Sequence, residues 1–115
     1  GERHRHRTVL VSYHRGASSV ELNATIGRTV FETQDARGVL ERTETRDFLV
    51  RGEDLVLDSS RTLPQRGDRV TEDVEGTVYT YEVMAPGREP AWRWSDPYRQ
   101  TLRIHTKQVD VEDAP

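Results

Sequence analysis

Apolar and polar residues alternate along this chain with a period of two, and no window of a dozen residues carries the period of a helix. From Ser19 to Ile26 the text reads SVELNATI, with Val20, Leu22, Ala24 and Ile26 alternating against Glu21, Asn23 and Thr25. That pattern predicts a strand with one buried face and one wet face. Thr8–Tyr13 is β-branched and apolar, and would set Val9, Val11 and Tyr13 on a common face. Thr77–Met84 repeats the pattern with Thr77, Tyr79, Tyr81 and Val83, and Thr101–Lys107 reads as the last strand. Thr29–Glu32 and Arg69–Glu72 read as shorter extended pieces. Val39–Val50 is polar on both faces in its middle, which suits an exposed, partly edge-like strand, and it returns to the core at Phe48, Leu49 and Val50. Gly52–Leu57 fits either one helical turn or a short strand.

Glycines and prolines mark the joints. His14–Ser18 reads as a short hairpin loop, and Asp35–Gly38, Gln65–Asp68 and Asp73–Gly76 as turns; Gly27 suggests a bulge or a sharp bend. Asp58–Pro64 is expected to be a loop, and Ala85–Pro97, with Pro86, Gly87, Pro90 and Pro97, a long shaped one. Six to eight short, mostly antiparallel strands with long loops and little helix predict an all-β barrel or sandwich. A chain of 115 residues is one domain's worth. The expected organisation is a flexible cationic arm at 1–7, a single barrel at 8–109 and an acidic tail at 110–115.

Composition thins the expected core. Apolar residues make up 33% of the chain and charged residues 32%, so part of the stability is expected to come from neighbouring subunits. The net charge is -3, from 17 Lys+Arg and 20 Asp+Glu, which supplies no overall field for nucleic acid. The basic side is almost all arginine, with Lys107 the one lysine; this reflects either genome composition or the value of guanidinium at protein interfaces. There is no cysteine, which excludes disulfides, thiolate metal sites and thiol catalysis. No apolar run is long enough to span a bilayer and no signal-peptide pattern appears, so no membrane role is expected. The chain opens on Gly1 rather than Met, and a segment upstream of it is expected.

Catalytic patterns fail one by one. His4 and His6 fall in the arm, while His14 and His105 have no carboxylate at ligand spacing, so no metal is expected. The carboxylates are scattered: Asp47 and Asp54 flank a possible turn, and Asp68, Glu72 and Asp73 crowd a hairpin. Ser18, Ser19, Ser59 and Ser60 lack a nucleophile-elbow context, and no glycine loop precedes a helix. No catalytic residue and no cofactor are expected. Arg66-Gly67-Asp68 spells an integrin-ligand tripeptide, but glycine for the turn and Asp68 bonding backbone nitrogens across it is the better reading. Trp92, Arg93, Trp94, Tyr98 and Arg99 fall close together. They suit a loop clamp with indoles over the barrel mouth and arginines stacked on them, a protein-interface hot spot, or a surface for bases.

One ordered series carries more. Asp47-Phe48-Leu49-Val50, then Asp54-Leu55, then Leu63-Pro64-Gln65-Arg66-Gly67-Asp68-Arg69-Val70, then Tyr81-Glu82-Val83, resembles the small head–tail joining proteins of tailed phages. Arg93–Arg99 and Leu102–Lys107 are similar to endings of proteins encoded among prophage structural genes. The resemblance covers roughly residues 8 to 109. It implies a barrel protein that assembles as a homo-oligomeric ring beneath the portal, closes the head and offers the tail a platform. Its partners would be the portal or adaptor protein and tail proteins, with nucleic acid met only incidentally. It would reside in the virion neck, after assembly in the host cytoplasm. No catalytic residue comes with the family. The docking elements would be the arm, with Arg5 and Arg7; the polar stretch with Arg42, Glu44 and Arg46; and the loop with Trp92, Arg93, Trp94, Tyr98 and Arg99. The other reading of the residues is a β-barrel module that binds a peptide, a sugar or single-stranded nucleic acid.

Overall fold

A computed structural model describes residues 8–113. The chain is all-β, with nine strands among the described residues: β1 (Thr8–Arg15), β2 (Ser18–Gln34), β3 (Leu40–Arg51), β4 (Val56–Leu57), β5 (Ser60–Arg61), β6 (Arg69–Val74), β7 (Thr77–Val83), β8 (Trp92–Trp94) and β9 (Thr101–Asp113). The count exceeds the expected six to eight because two short strands fall in stretches read as loops. The first is β5, which pairs with β4 across Asp58 and Ser59, both at positive φ (53° and 68°). A two-residue turn of that shape usually advertises itself through Asn or Gly, and here it does not. The second is β8, set inside the proline-rich loop and paired with Leu102–Ile104 of β9. Gly52–Asp54 forms a 3-10 turn ahead of β4, so the undecided segment Gly52–Leu57 contains both a helical turn and a strand.

The main sheet runs β3-β2-β1-β6-β7-β9-β8, all antiparallel, and β3 pairs again with β9. Six strands therefore close into a barrel, leaving β8 as a flap on β9. Alternation decides what faces inward. Val11, Tyr13, Leu22, Ala24, Phe48, Val50, Val70, Tyr81, Val83, Leu102 and Ile104 fill the interior, and Leu55, Leu57 and Ala91 join the same buried cluster. Phe48 meets Tyr81 edge-on at 5.3 Å, a favoured aromatic geometry.

Two joints differ from the sequence reading. The β1–β2 hairpin turns on only Gly16 and Ala17, with Arg15 paired to Ser18 and a positive φ (60°) confined to Gly16. Gly27 makes neither bulge nor break: β2 runs unbroken through it for 17 residues, with Gly27 paired to Asp47. A Cβ there would lie 3.3 Å from Arg103 Nη1 and from Leu49 Cδ1, so the missing side chain gives Arg103 room to cross β2. The bulge lies instead on β9, where Tyr81 faces Gln108 and Thr80 faces Asp110, leaving Val109 extra. The stretch 110–113, expected as tail, continues β9 to Asp113, paired with Thr77. The expected arm at 1–7 lies outside the described residues, as does 114–115.

Strand lengths set the overall form. The β3–β9 ladder stops at Arg46 and Thr106, and the β1–β6 ladder at Ser12 and Thr71. Beyond those points the barrel forks. One arm is the β2–β3 hairpin with its tip at 35–39, and the other is the three-stranded β6–β7–β9 piece with its tip at Glu75 and Gly76. The opposite end gathers the turns at 16–17 and 65–68, the segment 52–64 and the stretch 95–100, while Pro86–Glu89 lies against Phe31–Gln34 of the β2–β3 arm.

Candidate functional site

Three buried carboxylates organise the barrel. Asp47, 0% exposed, lies on the outer face of β3. It accepts hydrogen bonds from Thr45 Oγ1 (2.7 Å), Thr29 Oγ1, Arg103 Nη1 (2.5 Å) and His105 Nδ1 (2.9 Å). Burial by itself would raise its pKa; the bonds from His105, Thr29, Thr45 and Arg103 outweigh that and hold it at about 2. A carboxylate ionised at that pH can only accept, so His105 presents Nδ1–H to it. Phe31 stands edge-on to the His105 ring at 5.3 Å, and the backbone of Met84 and Ala91 bonds His105 from the adjoining loop. This cluster rivets β2, β3 and β9 at the root of the fork. The sequence reading treated Asp47 as flanking a turn and His105 as lacking a carboxylate; pairing across strands corrects both.

Asp68, 5% exposed, closes the 65–68 turn. It accepts from the Gln65 N–H (3.0 Å), from the Tyr13 hydroxyl and from the Arg15 guanidinium (2.8 Å). Burial first, and then the bond to Asp68, push the Tyr13 hydroxyl far above the ordinary phenol range. Gly67 takes a φ of 92° in this turn. The Arg66-Gly67-Asp68 tripeptide is thus a structural turn with its acid turned inward.

Glu72 lies inside the barrel on β6, and Arg46 reaches it from β3, the strand opposite, at 2.8 Å. The Arg46 guanidinium also rests over the rings of Tyr81 (4.9 Å) and Phe48 (5.5 Å). The pair caps the apolar core at the forked end. Arg42, Glu44 and Arg46 share the inward face of β3, as period two requires, and Glu44 pairs with Arg28 of β2 at 3.6 Å. Of the expected interface residues on β3, Arg46 is committed to the core cap, while Arg42 and Glu44 line the free arm. Ile26, Gly27, Arg28, Glu44, Arg46, Tyr81, Lys107 and Gln108 surround the cleft at the fork's root.

The aromatic segment sits at the other end. Trp92 and Trp94 are half-buried, edge-on to each other at 5.5 Å, and pack on the core cluster. A Cβ on Gly52 would lie 3.2 Å from the Trp94 ring, so glycine admits the indole there. Arg93 and Arg99 are exposed, and the cation–ring contacts among the described residues belong to Arg46, not to the arginines of this loop. Tyr98 is 80% exposed, held out on a loop that Asp96 closes by accepting from the N–H groups of Tyr98 (3.2 Å), Gln100 (2.9 Å) and Thr101 (2.8 Å). Those backbone bonds, Thr101's above all, lower the Asp96 pKa. Arg5 and Arg7 lie outside the described residues, and the other eight expected positions fall into two separate regions, β3 at the forked end and the segment Trp92–Arg99.

Sequence reasoning missed Asp96, Glu72, Thr29 and Arg103. A usable signal existed for one of them: Arg103 and His105, two apart on a strand, present two nitrogen donors on one face and call for a buried acid. Exposed apolar residues reveal a further asymmetry. Leu10, Val30, Val39, Leu40, Val74, Val109 and Val111 are exposed toward the forked end, against Leu63 and Tyr98 at the other. Scattered exposed apolar residues are ordinary, but all of these except Leu10 of β1 stand on the two projecting arms, and that collection marks a contact surface.

Neither the curated proteins nor the solved structures contain a match to this chain. A family model described as phage head-tail joining protein matches residues 1–113. With nearly the whole length matched, the chain belongs to the phage head–tail joining protein family.

Proposed function

We propose that this protein closes the head and joins it to the tail in the neck of a tailed phage particle. In this reading it stands between the portal or adaptor protein and the tail proteins, as a homo-oligomeric ring, and works by binding rather than by catalysis. The family match supports the structural role, and one feature of the fold carries the rest. The barrel has two unlike ends. The forked end carries exposed valines and leucines on strands that pair on one side only; the other end is a closed surface of turns bearing Trp92, Arg93, Trp94, Tyr98 and Arg99. A joining piece needs two chemically distinct docking surfaces on a rigid body, and short β-ladders with buried polar rivets supply the rigidity.

The test is made on particles. In a phage carrying a deletion of this gene, packaged heads and finished tails should accumulate unjoined, and adding the purified protein should restore infectivity. The protein should co-sediment with the neck of complete particles. Infectious particles that lack it would sink the reading.

A further inference from the structure

Past Thr106, β9 continues for seven residues, Lys107–Asp113, paired with β7 on one flank; among the described residues its other flank meets no strand. An edge of that length is a template for another chain, because alternate residues direct backbone N–H and C=O groups to the open side. Its side chains narrow the choice of occupant. Asp110 and Glu112 share one face, the neighbouring residue on that face across β7 is Asp73 of β6, and Glu75 and Asp113 stand at the same end. Two such edges brought together would set like charges opposite one another, which disfavours β9 pairing with β9. The edge rejects its own copy and favours an extended segment of positive charge.

The chain itself contains such a segment. Residues 1–7 read GERHRHR, with Arg3, Arg5 and Arg7 at period two. Laid out as a strand, the three arginines share one face, which is the spacing of Asp110 and Glu112 on β9. Topology decides whose segment it is. In the barrel order β1-β2-β3-β9-β7-β6, β9 stands opposite β1, with two strands between them either way. Arg7 is one residue, about 3.8 Å, from Thr8 at the start of β1, so it cannot lie along β9 of its own barrel.

We propose that residues 1–7 of one copy add as a strand to the free edge of β9 in the next copy, with Arg3, Arg5 and Arg7 over Asp110 and Glu112. The contact is head-to-tail, so repetition generates a ring if the rotation closes. It deepens the ring reading above and rests on that reading only for closure.

The test uses the full chain. Light scattering and native mass spectrometry report assembly against concentration, and hydrogen exchange reports the amides of residues 108–113. The edge variant D110K/E112K and the segment variant R3E/R5E/R7E should each weaken assembly roughly tenfold or more and speed exchange at 108–113. The chain carrying all five changes should recover both. Mixing the two variants should also restore assembly, with the two alternating, because each variant's segment matches the other's edge. Assembly indifferent to both charge reversals overturns the proposal. So does a wild type whose 108–113 amides exchange as fast as those of D110K/E112K at every concentration. Either result leaves the neck reading standing, whereas a segment–edge oligomer absent from particles would count against the neck reading alone.

Discussion

At the scale of single residues, the barrel depends on acids that sequence spacing does not display. Asp47 is the clearest. Its partners Thr29, Arg103 and His105 come from strands 18, 56 and 58 residues away along the chain, and only the β2–β3–β9 register brings them together. With its pKa at about 2 in the fold, against an ordinary 3.8, the ionised form is the one that folding favours. The stabilisation is therefore fully present above about pH 4 and is lost as the pH falls toward 2, an effect of about 2 kcal/mol. Denaturant unfolding measured from pH 5 to pH 2 should show this loss for the wild type. D47N should cost about 3 kcal/mol at pH 7, because it leaves Arg103 beside a neutral group, and should flatten that acid limb. An unchanged acid limb in D47N would show that other carboxylates carry it.

At the scale of elements, legibility tracked how strictly each segment obeys period two. Ser19–Ile26 was readable because its apolar residues are inward-facing strand positions and its polar ones are wet. The tip of the β2–β3 hairpin at 35–40 reads only as exposed, since it is wet on both faces, while Phe31 owes its place to His105 on β9, which its own segment does not announce. β8 escaped notice because three residues cannot establish a period, and its reason for pairing is the flank of β9 rather than its own sequence. The acidic end of β9 looked like a tail for the same reason: charge suits a free edge and a free end alike. The loop after β8 likewise gains its shape from one side chain. D96A removes the acceptor that three backbone N–H groups share, so amides at 98–101 should exchange markedly faster while the global unfolding midpoint stays close to that of the wild type. If the loop stayed protected in D96A, the packing of Trp94 would be its true anchor.

At the scale of the whole molecule, the fold separates what must be stable from what must be free to dock. The radius of gyration is 15.2 Å, against about 13 Å for a compact domain of this length, and the excess lies in the two arms. The resemblance read along Asp47–Lys107 pointed to the family the chain belongs to, because it followed the ordered core strands. The arms were invisible to it, since exposed valines and mixed charges have no period to betray them. This division makes a prediction. Gln34–Leu40 pairs only within its own hairpin, with Asp35 accepting from the N–H groups of Arg37 and Val39 across the tip. Replacing the seven residues 34–40 by Asn-Gly leaves Thr33 opposite Glu41 in the existing register, joined by a turn suited to a two-residue hairpin. The core keeps every buried side chain, so the melting temperature should move by no more than a few degrees. Val39 and Leu40 are lost from the forked end, and purified shortened protein should therefore fail to restore infectivity to heads and tails lacking the wild type. Full restoration by the shortened chain would move the essential contact to the β6–β7–β9 arm or to the closed end. A collapse in melting temperature would instead mean that the hairpin tip supports the fold.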